Sequence, residues 1–149
     1  MSIFDSFNIN ASGMTAERFR MDIIAENIAN ANTTRTENGG RYVRKVVTFQ
    51  EKEMNTPFSR ILNIKTDHYS GKGVRVSTVQ NDTWTQANMV YDPSHPDADE
   101  NGYVTYPNVN TITEMTNLID ASRGYEANAT AFNASKQIAT QGLNIGQGG

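Results

Sequence analysis

Near the start of the chain, apolar residues recur at seven-residue steps: Phe7, Met14, Met21 and Ile28, flanked by Ala11, Ile24, Ala25 and Ala31. A stripe this narrow predicts a helix that packs along one seam against another helix, running to about Thr34. Asn10 and Ser12 are candidate N-caps, and Gly13 just behind them costs ~1 kcal/mol relative to Ala if it is internal. The polar run TTRTENGG ends the element. Asparagine is a weak helix former because its amide competes for nearby backbone groups. Yet Ile28 still completes the seam where Asn27 and Asn30 appear. Those two amides are therefore expected to bond to protein neighbours and set register between subunits, while Asn32 and the threonines after it read as unwinding.

The middle of the chain changes period. RYVRKVVTF and GVRVSTV are rich in β-branched residues and partly alternate, as half-buried strands do. Phe58, Ile61, Leu62 and Ile64 suggest a further strand, and Met89, Val90 and Tyr91 a short one stopped by Asp92-Pro93. All four prolines, at 57, 93, 96 and 107, fall in this region. A few short strands need a packing surface from elsewhere.

After Pro107 the sequence Thr111-Ile-Thr-Glu114 has the form of a capping box. Met115, Leu118, Ser122, Tyr125, Ala129, Phe132, Lys136, Ala139 and Leu143 then alternate in steps of three and four, a heptad seam weakened by Ser122 and Lys136. A second stripe runs through Ala127, Ala131, Ala134, Ile138 and Ile145. From Ile112 to Ile145 such a helix is on the order of 50 Å long at ~1.5 Å per residue. It carries few charges, and its other positions are Ala, Ser, Thr, Asn and Gln, which let helices approach from several sides. One chain supplies one helical partner, so the remaining neighbours are expected from other subunits. The expected fold is α+β: paired long N- and C-terminal helices, coiled-coil-like, with a small β-rich insert. The expected divisions are an N-terminal helix over 1–34, a β-rich middle unit over 35–107 and a C-terminal helix over 108–149.

Composition sits between that of a compact domain and that of a chain that folds fully only against partners: of 149 residues only 37% are hydrophobic. The net charge of −3 argues against a general nucleic-acid or membrane-surface binder. The one basic cluster, Arg41, Arg44 and Lys45, reads as a solvated strand face. With no cysteine, disulfides and thiolate chemistry are excluded. The start MSIFDSFNINASG has no basic segment followed by an apolar core, so export by a Sec-type signal is not expected. No apolar run approaches the ~18 residues needed to span a bilayer.

Candidate chemistry is sparse. Neither His68 nor His95 has a second histidine at metal-binding spacing, and no nucleophile or phosphate-cradling motif is recognisable. The sharpest lookalike is DADENGYVTYPN, where Asp97-x-Asp99-x-Asn101-Gly102 matches the first half of a calcium loop. Its twelfth position is Asn108 instead of the bidentate Glu, and Pro93 and Pro96 oppose an entering helix. A calcium-dependent binding module over Asp97–Gly102 is the alternative to a structural role. The plainer reading is a turn in which Asn101-Gly102 supplies positive φ.

DIIAENIANANTTRT resembles the N-terminal signature of bacterial flagellar rod and hook proteins, here with the core Asn27-Ile28-Ala29-Asn30-Ala31-Asn32-Thr33. NLIDASRGYEANATAFNASKQI is similar to the matching C-terminal helix of that axial family, most recognisably at Arg123, Tyr125, Glu126, Ala127 and Asn128. VYDPSHPDADENGYVTYPNVN resembles the FlgC-type proximal rod proteins, through Tyr91-Asp92-Pro93-Ser94-His95-Pro96 and the Gly102-Tyr103 turn. Gly124 departs from the family's usual Ala. The resemblance implies a structural rod subunit of the flagellar basal body, with no enzymatic activity and no cofactor, helping to form the shaft that carries torque across the periplasm to the hook. It implies export by the flagellar type III apparatus. The implied partners are further copies, other proximal and distal rod subunits, the export-gate and adaptor end, and a surrounding ring bushing. Candidate subunit-interface residues are Met14, Met21, Asn27, Ile28, Asn30, Met115, Leu118, Arg123, Tyr125, Glu126, Asn128 and Phe132.

Overall fold

The computed structural model describes residues 3–37, 39–52 and 72–147. The order of elements is α1 (Ile3–Ala29), β1 (Lys45–Glu51), β2 (Val74–Asn81), β3 (Asn88–Tyr91), β4 (Tyr103–Tyr106) and α2 (Thr111–Gln147). Among the described residues, two long helices precede and follow two small two-stranded sheets along the chain, an α+β architecture. The strand expected around Phe58–Ile64 lies outside the described residues.

β1 and β2 pair antiparallel. The Lys52 N–H donates to the Gly73 carbonyl at 2.9 Å and the Asp82 N–H to the Arg44 carbonyl at 2.7 Å. Between them the hydroxyls of Thr48 and Thr78 meet at 2.8 Å. β3 and β4 form an antiparallel hairpin in which Val90 faces Val104 and Tyr91 faces Tyr103. Gly102 turns it with φ +77°, a conformation that favours glycine. The plain turn reading of Asn101-Gly102 describes this segment.

Both helix starts differ from expectation. α1 already runs at Asn10 and Ser12, so neither is a cap. Ser12 Oγ instead donates to the Ile9 carbonyl at 2.7 Å and accepts the Val74 N–H at 3.0 Å, tying the helix to the start of β2. α2 is capped by Asn110, whose side-chain oxygen accepts the N–H groups of Ile112 at 3.0 Å and Thr113 at 3.2 Å. Glu114 is consequently not the reciprocal partner of a capping box, and its carboxylate goes elsewhere.

The chain forms two compact units. One comprises Met1–Phe19, Phe49–Ser77 and Ala121–Gly149. Here α1 and α2 run antiparallel and very close: the Phe7 and Phe132 rings stand 5.1 Å apart. A Cβ on Gly13 would lie 2.6 Å from Asn128 Oδ1, and one on Gly124 would lie 3.3 Å from Glu17. Gly13 is therefore internal after all, and its helix-propensity cost is offset by the close approach that only a missing side chain permits. The other unit comprises Arg20–Thr48 and Thr78–Asp120 and buries Ile24, Tyr42 and Val104.

In both helices the most buried line lies one residue before the seam read from apolar periodicity. Gly13 and Asn27 are buried where Met14 and Ile28 were expected, and Glu114 and Ala121 where Met115 and Ser122 were expected. Small and hydrogen-bonding residues face inward because they allow short interaxial distances. The bulkier Met and Ile side chains beside them are left half-buried or exposed.

Candidate functional site

In the unit formed by Arg20–Thr48 and Thr78–Asp120, α1 ends and α2 begins on a buried polar knot. Asn27 and Glu114 are each 1% exposed. The Asn27 amide donates to the Lys45 carbonyl at 2.8 Å and to Glu114 Oε2 at 3.1 Å. Its oxygen accepts the Lys45 N–H at 2.9 Å and the Tyr42 hydroxyl at 2.9 Å. All four hydrogen-bonding positions of this side chain are filled. By taking both the N–H and the C=O of Lys45, the amide acts as a neighbouring strand would and holds the first residue of β1 to the helix.

Arg44 is the cation of the knot. Its Nε and Nη2 donate to Glu114 Oε1 at 3.0 and 2.7 Å, and its Nη1 to Asp82 Oδ2 at 3.2 Å. Asn108 bridges Arg44, the residue before Lys45, to Asp82. Its oxygen accepts the Arg44 N–H at 3.0 Å, and its amide donates to the Asp82 carbonyl at 2.7 Å. The sequence-based reading of Arg44 as part of a solvated strand face is therefore corrected. Its carboxylate partners lie 38 and 70 residues away, beyond any local pattern. Lys45 pairs with Glu26 at the edge of the same network.

The electrostatics follow from these contacts. Hydrogen bonds from the side chain and backbone of Thr85 hold the Asp82 carboxyl below its ordinary value, helped by Arg44 and Trp84 and opposed by burial. Burial disfavours the charged Arg44, but Glu114 and Asp82 outweigh it and raise its pKa. Burial first, then the charges of Glu26 and Glu114, push the Tyr42 phenol up to about 12. The folded chain therefore holds this proton more tightly than the unfolded chain does. That stability is complete below pH ~10, the ordinary tyrosine value, and is lost as pH rises through about 12. Tyr42→Phe is expected to lose about 1 kcal/mol at neutral pH, for the bond to Asn27, and to flatten the stability decline between pH 10 and 12. Urea unfolding across pH tests this; an alkaline limb as steep as that of the parent chain would contradict it.

The sequence-derived interface residues scatter between buried and open positions. Asn27 fills its hydrogen-bonding positions within the chain and fastens β1. Asn30 is half-buried and likewise bonds locally, donating to the Glu26 carbonyl at 3.0 Å and accepting from Thr33 at 3.2 Å. Met21, Ile28 and Leu118 are half-buried in the same unit, and Met115 is exposed. In the other unit Met14, Asn128 and Phe132 are half-buried, while Arg123, Tyr125 and Glu126 are exposed. Asn128 donates to the Gly124 carbonyl at 2.8 Å and closes over Gly13. Sequence reasoning missed Tyr42, Arg44, Asp82, Asn108 and Glu114. The one available signal was Glu114, an acidic residue in step with the seven-residue spacing of Ala121, Asn128 and Ser135.

What α2 leaves uncovered is as informative as what it buries. Ile112, Met115 and Ile119 form an exposed apolar stripe in one unit; in the other, Ile138 and Ile145 are exposed on one face of α2 a heptad apart, and Leu143 is exposed on the opposite face. Ile119 is 54% exposed and Ile145 81%. Contiguous exposed apolar surface on a helix marks a place where another chain packs.

The calcium-loop lookalike is built as a turn. Asp99 Oδ1 accepts the N–H groups of Asn101 at 2.9 Å and Tyr103 at 2.8 Å. Asp97 accepts the Thr34 hydroxyl at 2.8 Å, and Asn108 belongs to the knot. Among the described residues no group of three or more His, Cys, Asp or Glu side chains is placed to hold a metal ion. Nor, among them, is any helix long and apolar enough to cross a membrane.

Two family descriptions match the chain: "Flagella basal body rod protein" over residues 7–35 and "Flagellar basal body rod FlgEFG protein C-terminal" over residues 100–145. These are the two helical ends, the second together with strand β4. The chain is 42% identical to a flagellar basal-body rod protein FlgC of Borreliella burgdorferi, across 99% of this chain and 100% of the relative. It is 43% identical to that of Bacillus subtilis and 33% to that of Salmonella typhimurium, with the same coverage in each case.

Proposed function

The chain belongs to the FlgC-type flagellar basal-body rod proteins, structural subunits of that assembly, and we propose on this footing that it builds the proximal rod through its two terminal helices and transmits torque across the periplasm to the hook. The observation that carries the reading is the set of large apolar side chains exposed along α2, with Ile112, Met115 and Ile119 on one stripe. Gly13, Ala16, Ala121 and Gly124 serve the packing within the chain, while Ala127, Ala131 and Ala134 stay exposed. The large apolar side chains remain available for neighbours, and broad contacts rich in apolar groups are what obligate assemblies use.

A torque-bearing subunit also needs stiffness inside each copy. The knot of Asn27, Arg44, Asp82, Asn108 and Glu114 supports that requirement. It joins α1, β1, β2 and α2 through hydrogen bonds whose partners are all present, so no member can turn without breaking several at once. The partners proposed for the assembly are further copies, other proximal and distal rod subunits, the export-gate and adaptor end below and the ring bushing around it. Passage through the flagellar type III apparatus is proposed as the route out of the cytoplasm.

Ile119→Asp tests the assembly reading. The substitution places a charge on the open stripe, away from the knot and from Gly13. The isolated chain is expected to unfold within about 0.5 kcal/mol of the parent, as surface changes usually do. Cells carrying it are expected to lose swimming and to lack the chain in purified basal bodies. Normal motility with the variant present in the basal body would remove the role assigned to this face.

A further inference from the structure

In the unit that holds the polar knot, the segment after α1 and the β3–β4 hairpin enclose a pocket of about 500 Å³. The first contributes Gly39, Gly40 and Arg41, the second Asp97, Asp99 and Tyr103. Nearby cations are spent: Arg35 stands 3.7 Å from Asp97, Arg44 is held by Glu114 and Asp82, and Lys45 by Glu26. Arg41 is not. Among the described residues no hydrogen bond or ion pair reaches its guanidinium, and its Nε is buried without a partner. A half-buried cation with an orphaned donor is costly, and an anion from outside the chain removes that cost. Gly39 and Gly40 leave room for one. Both have positive φ, and beyond their immediate neighbours in the chain no atom lies within 4 Å of where their Cβ atoms would stand.

The far side of the pocket says which anion. Asp97 accepts the Thr34 hydroxyl, and Asp99 accepts the N–H groups of Asn101 and Tyr103. Two carboxylates here repel a dianion such as phosphate more strongly than a single carboxylate. The pocket also continues onto an open face of the hairpin. Tyr103 lines it, meets the Tyr91 ring edge-on at 5.2 Å, and shares its face of the hairpin with Met89. Tyr91 is 64% exposed and Met89 59%. Tyrosine, methionine and arginine are residue types that interfaces collect, and such a surface is wider than a small ligand covers.

Resting on the rod-subunit reading above, we infer that the Arg41 pocket, with the Tyr91–Tyr103 face beside it, seats an aspartate or glutamate side chain of a neighbouring protein. Guanidinium and carboxylate form a charge-assisted pair at the centre of the contact. The neighbour has to turn with this chain, because a salt bridge to a stationary component would break at every revolution. The contact uses the loop after α1 and the hairpin, not the long helices.

Arg41→Gln removes the charge and tests this. The guanidinium has no partner inside the chain, so the urea midpoint of the purified variant is expected to stay at or above that of the parent. An arginine that only braced the fold would lower it, which would overturn the docking. In cells lacking the parent chain, retention of the variant in purified basal bodies is expected to fall about tenfold, and that of Arg41→Glu further still. Arg41→Lys places a primary amine at the site. A carbodiimide, which joins an amine to a carboxylate in direct contact, is expected to link position 41 to an aspartate or glutamate of another shaft subunit, read by mass spectrometry. No link in assembled basal bodies, or a link to a component that does not rotate, would overturn the docking. If the lysine variant does not assemble, retention of the other two decides: both held like the parent would overturn it. Free glutamate bound by the purified parent and not by Arg41→Gln, with both retained equally, would assign the pocket to a small carboxylate instead. If the parent chain itself is missing from basal bodies, the rod reading fails and takes this inference with it.

Discussion

Arg44→Met is expected to destabilise the isolated chain by about 3–5 kcal/mol, the usual cost of removing one partner from a buried ion pair. Glu114 is almost fully buried and Asp82 nearly so. Without the guanidinium, two carboxylates face each other through the space it filled. The lost attraction is the smaller part; the larger is two charges left in a poorly solvated site. Neutralising the whole cluster, with Arg44→Met, Glu114→Gln and Asp82→Asn together, is therefore expected to recover much of the loss, because replacing every member of a buried pair is often near neutral. Urea unfolding of the purified chains measures both. A loss below about 1 kcal/mol for Arg44→Met, or a triple variant weaker than the single one, would show that the knot does not hold this unit together.

Asn27→Leu is expected to be comparably severe, about 3 kcal/mol or more, although leucine is the better helix former. Four groups lose their partner at once: the N–H and C=O of Lys45, the Tyr42 hydroxyl and one oxygen of Glu114. Each buried group left unsatisfied costs about 1–3 kcal/mol, and relaxation of Tyr42 and Glu114 keeps the sum from being additive. Asn27→Asp separates shape from hydrogen bonding. It preserves the outline but turns an acceptor toward the Lys45 carbonyl and a second negative charge toward Glu114, so it is expected to do no better than leucine. Urea midpoints for both variants within about 0.5 kcal/mol of the parent would place this asparagine among ordinary surface positions.

The long elements were legible because periodicity is a local property. Seven-residue spacing marked α1 and α2, and β-branched runs marked β1 and β2. The turn at Asn101-Gly102 followed from the need for positive φ. Which face of each helix turns inward was not legible. Hydrophobic pattern points to Met14, Ile28 and Met115, whereas the chain buries Gly13, Asn27 and Glu114, because close helix packing rewards small size and satisfied polarity as much as apolar area. Arg44 shows the same limit in electrostatic form: three basic residues in five positions read as a solvated face until Asp82 and Glu114 are brought beside one of them.

By itself, the sequence determined the α+β class, the two helical ends, the absence of thiol chemistry and, through the motifs at those ends, the resemblance to flagellar rod proteins. All of these depend on residue types at short spacing along the chain. Only the tertiary structure decided what Asn27 is for. Its amide clamps the Lys45 backbone and meets Glu114. Hydrogen-bond partners are set by distance in space, and Asn27 lies 18 residues from Lys45 and 87 from Glu114 along the chain.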